Sequence, residues 1–73
     1  MVWQVQSKNG RWHTYNQQLD LKIEAQWKDW QVCKEGAKTI EYRHINGKVF
    51  VIDFERMMVT DLSTGSEARV RRI

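Results

Sequence analysis

A chain of 73 residues and 8.8 kDa is one domain. At this length only about 60–65% of the unfolded surface can be buried, which excludes a TIM barrel, a doubly wound nucleotide fold or two domains. Hydrophobic residues (41%) and charged residues (29%) are in globular rather than disordered proportion, and 12 basic against 9 acidic side chains leave a net charge of +3. The excess sits in the tail, where Arg69, Arg71 and Arg72 have no acid among them. A balance this mild suits a small anionic ligand and argues against nucleic acid as the main partner.

Proline is absent and glycine occurs only at Gly10, Gly36, Gly47 and Gly65, so these four positions divide the chain. Residues 2–6 and 11–15 alternate as strands around Asn9-Gly10, a strong hairpin signal that sets Trp3 and Trp12 across from one another. Asn16 is a candidate helix N-cap, and Leu19, Ile23, Trp27 and Trp30 form one helical stripe, predicting a helix over 17–30. Leu21 and Ala25 lie to the side of that stripe. A loop around Gly36 then leads to a strand over 38–45.

Asn46-Gly47 predicts a second tight turn. Residues 48–54 follow, apolar on both faces as in a strand covered on both sides. Strands over 56–60 and 67–73 flank the Asp61–Gly65 turn. The order is ββαββββ. One helix cannot cover six strands as a flat layer, so the expected fold is α+β, a six-stranded half-barrel sheet wrapped around a single helix.

Catalytic and metal chemistry find little support. There is no Gly-rich phosphate loop and no HExxH. Cys33 with His44 makes a weak thiol pair. Asp53 and Glu55 share a direction on a strand and read as surface charge. Cys33, His13 and His44 lack the paired spacing of a zinc site. A lone cysteine fits a reducing compartment, nucleus or cytoplasm. No run of 18 apolar residues is present to span a membrane as a helix. No cofactor is implied.

The rings carry more information. Four tryptophans, two tyrosines and two phenylalanines are many for this length. Core packing uses most of them, but Trp12, Tyr42 and Phe50 could wall a cleft for a flat base, with Arg69, Arg71 or Arg72 on its phosphates.

Trp3, Trp12 and Glu24, with Trp12-x-x-Tyr15-Asn16, Ile23-Glu24-Ala25, Val49-Phe50-Val51-Ile52-Asp53-Phe54, Met57, Asp61-x-x-Thr64-Gly65 and Val70-Arg71-Arg72, resemble the WWE domain over residues 2–73. The resemblance implies a non-catalytic half-barrel module of a larger protein, either an ADP-ribosyltransferase, most similar to the macrodomain-containing mono-ADP-ribosyltransferases, or an E3 ubiquitin ligase. Its implied ligands are ADP-ribose and poly(ADP-ribose), through the terminal unit or the iso-ADP-ribose link, with neighbouring domains as further partners.

Carried onto this sequence, the family pattern puts Trp12 beside the pocket and Phe50 where binders often have Tyr. The first-strand ring of binders falls on Val5 or Gln6. Val59 stands where many have Gln, with Thr60 as the nearest polar group. Ala68 stands where binders place Arg, with Arg69 one step along and turned to the other face unless a bulge intervenes. Losing one charge-assisted bond and one neutral one weakens binding by about 10²-fold. Weak ADP-ribose binding is the expectation. The alternative is a protein-interaction or scaffold module with a vestigial pocket, which an exposed surface around Met57, Met58, Trp27 and Trp30 would favour.

Overall fold

The computed structural model describes residues 2–33, 38–44 and 46–73. The elements are β1 (Trp3–Gln6), β2 (Trp12–Thr14), α1 (Gln17–Val32), β3 (Thr39–Arg43), β4 (Val49–Asp53), β5 (Met58–Asp61) and β6 (Glu67–Arg72). All strand pairs are antiparallel and form one open sheet in the order β2-β1-β6-β5-β4-β3. This is the ββαββββ half-barrel around one helix. The loop expected around Gly36 and the strand end expected at Ile45 fall outside the described residues.

The helix forms where its cap and stripe place it. Asn16 keeps an extended backbone and its side-chain oxygen accepts the Leu19 N–H at 2.9 Å. The stripe faces inward: Ile23 is fully buried, with Leu19, Trp27 and Trp30 half-buried beside it. The helix runs past Trp30 to Val32, and the Cys33 N–H closes its last turn on Asp29 O at 3.0 Å. The core is Trp3, Ile23, Ile52, Phe54, Val59 and Val70, drawn from the helix, four strands and the turn after β4.

Three sequence expectations are corrected. Trp12 pairs with Gln6, not Trp3, because Ser7 N–H bonds Arg11 O and leaves residues 8–10 as the loop. Trp3 instead accepts the Tyr15 N–H. Second, β5 begins at Met58 rather than Arg56. Asp53 Oδ1 takes the N–H groups of Glu55 and Arg56 at 3.0 and 3.3 Å, so residues 54–57 turn, with Met57 at φ 53°. Glu55 meanwhile pairs with Lys38 at 3.2 Å. The carboxylates read as a surface pair therefore include a turn-builder. Third, β4 is covered on one face only. Phe50 and Ile52 point to the helix, while Val49 and Val51 stand half-buried on the outer face of a single-layered sheet.

Two carboxylates one helical turn apart clamp the helix to the sheet. Asp20 accepts the Trp3 backbone N–H at 2.6 Å. Glu24 accepts the Trp3 indole N–H at 2.8 Å through Oε1. The same Oε1 takes Arg72 Nε at 2.8 Å, and Oε2 takes the Arg72 terminal nitrogen at 2.7 Å, a fork-to-fork pair. The Arg72 guanidinium also lies 4.1 Å over the Trp27 ring, and Trp27 packs edge-on to Trp3 at 6.1 Å. One carboxylate thus joins α1, β1 and β6.

The Arg72 guanidinium, with the indole N–H and Lys28 assisting, holds Glu24 at a pKa of about 2 against an ordinary 4.5. A folded-state value below the unfolded one gives stability that is fully present above pH 4.5 and lost as pH falls toward 2. Glu24→Gln should cost about 2 kcal/mol near neutrality, between the worth of an exposed pair and the cost of breaking a buried one. In urea unfolding followed by tryptophan fluorescence, the gap to the parent protein should narrow between pH 4.5 and 2.

Candidate ligand-binding cleft

Strand β6 changes partners along its length. Its second half pairs with β1, as Trp3↔Arg72, Gln4↔Arg71 and Val5↔Val70. Its first half pairs with β5, as Met58↔Arg69, Val59↔Ala68 and Thr60↔Glu67. Beyond Val5↔Val70, β1 and β6 part. A cleft of about 770 Å³ opens there, with Gln6, Ser7 and Lys8 on one lip and Ser66, Glu67 and Arg69 on the other. The opening is not plugged by side chains.

The floor is apolar: Val5, Leu19, Val59 and Ala68. The far wall is aromatic. Tyr42 stacks on Phe50 with centroids 5.3 Å apart, Tyr15 meets Tyr42 edge-on at 5.6 Å, and His44 meets Phe50 at 6.3 Å. Tyr15 follows β2 and Tyr42 lies on β3, the two edges of the sheet. Their hydroxyls bond at 2.9 Å, so this contact draws the edges together across the mouth.

Polar groups sit at the rim, and most acids there are committed elsewhere. Glu67 pairs with Arg56. Asp61 accepts Ser63 N–H at 2.9 Å and Ser63 Oγ at 2.6 Å and lies 3.9 Å from Lys48, contacts that hold its carboxyl below the usual range. Among the described residues, Lys8 and Arg69 form no ion pair. The rim therefore offers uncommitted positive charge above an apolar, ring-walled floor, the arrangement that takes a flat base with attached phosphate.

Of the residues singled out from sequence, Tyr42, Phe50 and Arg69 line the cleft, and Trp12, Thr60 and Arg71 do not. Strand alternation explains Thr60: its neighbour Val59 is buried in the core, so Thr60 faces outward. Trp12 and Arg71 share the outer face of the sheet, the guanidinium 4.1 Å over the indole. No bulge interrupts the β5–β6 register, so Arg69 keeps its outward setting, yet it reaches the cleft because the seam there is open. Sequence reasoning missed Lys8, Tyr15 and His44 as wall and lip residues. Tyr15 carried a signal, since it belongs to the Trp12-x-x-Tyr15 spacing; Lys8 and His44 carried none.

Burial first, and then the mutual hydrogen bond, pushes the Tyr15 hydroxyl far above its ordinary value of 10.0; burial also raises Tyr42. Folded-state values above the unfolded ones keep both rings neutral, and their contribution to stability falls as pH rises past 10. Alkaline titration should give no tyrosinate absorbance until the domain unfolds. Tyr42→Phe, which removes one raised hydroxyl and the partner of the other, should lower stability near neutrality by about 1 kcal/mol and make the loss of stability above pH 10 shallower in urea unfolding.

The family model of the WWE domain matches residues 1–72. Comparison with curated proteins gives no match. WWE domains are non-catalytic modules of protein interaction and ADP-ribose recognition. A one-helix half-barrel, a Trp3–Glu24 bond at its centre and a match over nearly the whole length agree, and the chain belongs to the WWE family.

Proposed function

We propose that this domain is a reader of ADP-ribose-type ligands, holding the adenine in the cleft against the Tyr42–Phe50 wall and the phosphates at the lips. The observation that carries this reading is an open cleft whose wall is aromatic and whose rim cations, Lys8 and Arg69, have no ion-pair partners among the described residues. A purine stacks on such a wall at a worth of about 1–3 kcal/mol. Affinity is modest because the floor beneath the phosphates is Val59 and Ala68, neither of which can donate to an anion. The module serves a larger ADP-ribosyltransferase or ubiquitin ligase of the nucleus or cytoplasm.

Scaffolding remains the second reading, and one observation favours it. Met57, Met58, Trp27 and Trp30 are each half-buried rather than sealed, and Leu21 (62%) and Val32 (89%) are exposed on the helix. Under this reading the cleft is idle and the helix side meets a neighbouring domain.

Calorimetry with ADP-ribose and iso-ADP-ribose separates the two. Binding should be seen with at least one ligand, and Phe50→Ala should weaken it about tenfold or more. Ala68→Arg, which returns a donor to the floor, should tighten it by at least about tenfold. No heat at millimolar ligand, with the domain folded, would leave scaffolding as the function.

A further inference from the structure

An open sheet has two edges, and here they differ. β2 offers three residues at one edge and β3 five at the other, and among the described residues no strand lies beyond either. The β3 edge carries neither proline nor a bulge: its register with β4 is continuous from Thr39↔Asp53 to Arg43↔Val49. Ladder parity fixes which backbone groups it leaves unused. Lys38 O accepts the Phe54 N–H at 2.8 Å, and the His44 N–H donates to Lys48 O at 2.7 Å. Partners in an antiparallel ladder alternate, so residues 38, 40, 42 and 44 direct their backbone groups to β4. Thr39, Glu41 and Arg43 turn theirs to the free edge.

The side chains of the same three residues stand exposed on the outer face of the sheet. Among the described residues Glu41 and Arg43 enter no ion pair, whereas Lys38 nearby is paired with Glu55. Behind them on β4 stand Val51, opposite Glu41, and Val49, opposite Arg43, both half-buried. The inner side of the edge is in use: Tyr42 stacks on Phe50, and its hydroxyl bonds that of Tyr15. A partner therefore meets the backbone edge and the outer side chains.

The order of charge selects that partner. Two β3 strands set antiparallel about Tyr42 place Glu41 of one copy opposite Arg43 of the other, and Arg43 opposite Glu41. Both pairs fall where the N–H and C=O groups face the edge, so both are hydrogen-bonded pairs. The in-phase registers to either side set Glu41 against Glu41 or Arg43 against Arg43, and like charges directly opposite are destabilising. Charges on an edge strand commonly block pairing; here their order admits one register with one partner.

We infer that the β3 edge is a self-association site, at which two copies of this chain join their sheets about a two-fold axis at Tyr42. An edge this short lies below the standard interface size, so the dimer is weak and concentration-dependent. The inference is independent of what the cleft binds.

The test is sedimentation equilibrium of the domain, without ligand, from micromolar to millimolar concentration. A dimer should grow in over that range and weaken as salt is raised. Glu41→Arg, which sets arginine against arginine, should weaken dimerisation by about tenfold or more, and Arg43→Glu should do the same. The variant carrying both changes, which restores opposite charges across the axis, should dimerise as the parent does. Circular dichroism checks that each variant is folded. In a mixture of isotope-labelled and unlabelled domain, the Tyr42 Hα should show an NOE to the Tyr42 Hα of the other copy. A monomer at millimolar concentration would overturn the inference. So would a dimer indifferent to the single charge reversals, as one formed through Leu21 and Val32 of the helix would be, or a folded double variant that stays monomeric.

Discussion

The structure turns on a constraint of strand pairing: β6 is hydrogen-bonded to β1 over one stretch and to β5 over another, and nowhere fully to both. A strand offers two edges, and a sheet in which both were used along the whole length would present a continuous surface. Here the exchange falls at Val70, which lies opposite Val5 on one edge and donates its N–H to Met57 O at 3.0 Å on the other. The sheet stays in one piece, since β6 bridges its two halves, but it is slit on one side. The candidate cleft opens at that slit. It needs no separate loop or insertion, which a chain of 73 residues has little room to supply.

A slit sheet must be held in shape from both ends. At one end Glu24 and Asp20 bind Trp3 and Arg72, fixing the helix to the strands on the closed part of the seam. At the other, the Tyr15 and Tyr42 hydroxyls meet across the mouth and join the two edge strands. The first contact is ionic and the second neutral and buried, so they weaken at opposite extremes of pH. Between them stands the stacked wall of Tyr42 and Phe50, with the Tyr42 hydroxyl held by that of Tyr15.

Much of this was legible in the sequence. The helix was visible because Asn16 caps it and its apolar residues recur at helical spacing. The turns were visible because Asn9-Gly10 and Asn46-Gly47 bracket alternating strands, with φ of +86° and +88° at the two glycines. Tyr42 and Phe50 were expected at the cleft from their types and order, and both line it. Registers were not legible. A hairpin loop one residue longer than the Asn-Gly signal implies put Gln6 opposite Trp12 and parted the two signature tryptophans onto opposite faces of the sheet. The same limitation hid the reach of Arg69: alternation alone turns it outward, and only the opening of the seam, a matter of which strands pair where, brings it to the lip. Lys8 and His44 had no motif, because they matter through position alone.

These features describe a WWE domain whose cleft has an aromatic wall, an apolar floor and, at its lips, the cations Lys8 and Arg69 without ion-pair partners among the described residues. The central claim is that ligand enters at the seam between β1 and β6. The most direct measurement is amide and side-chain NMR of the labelled domain during addition of ADP-ribose. The account predicts that shifts concentrate at Gln6, Lys8, Tyr15, Tyr42, Phe50 and Arg69. Shifts confined to the exposed helix face around Leu21 and Val32, with the seam unmoved, would contradict it.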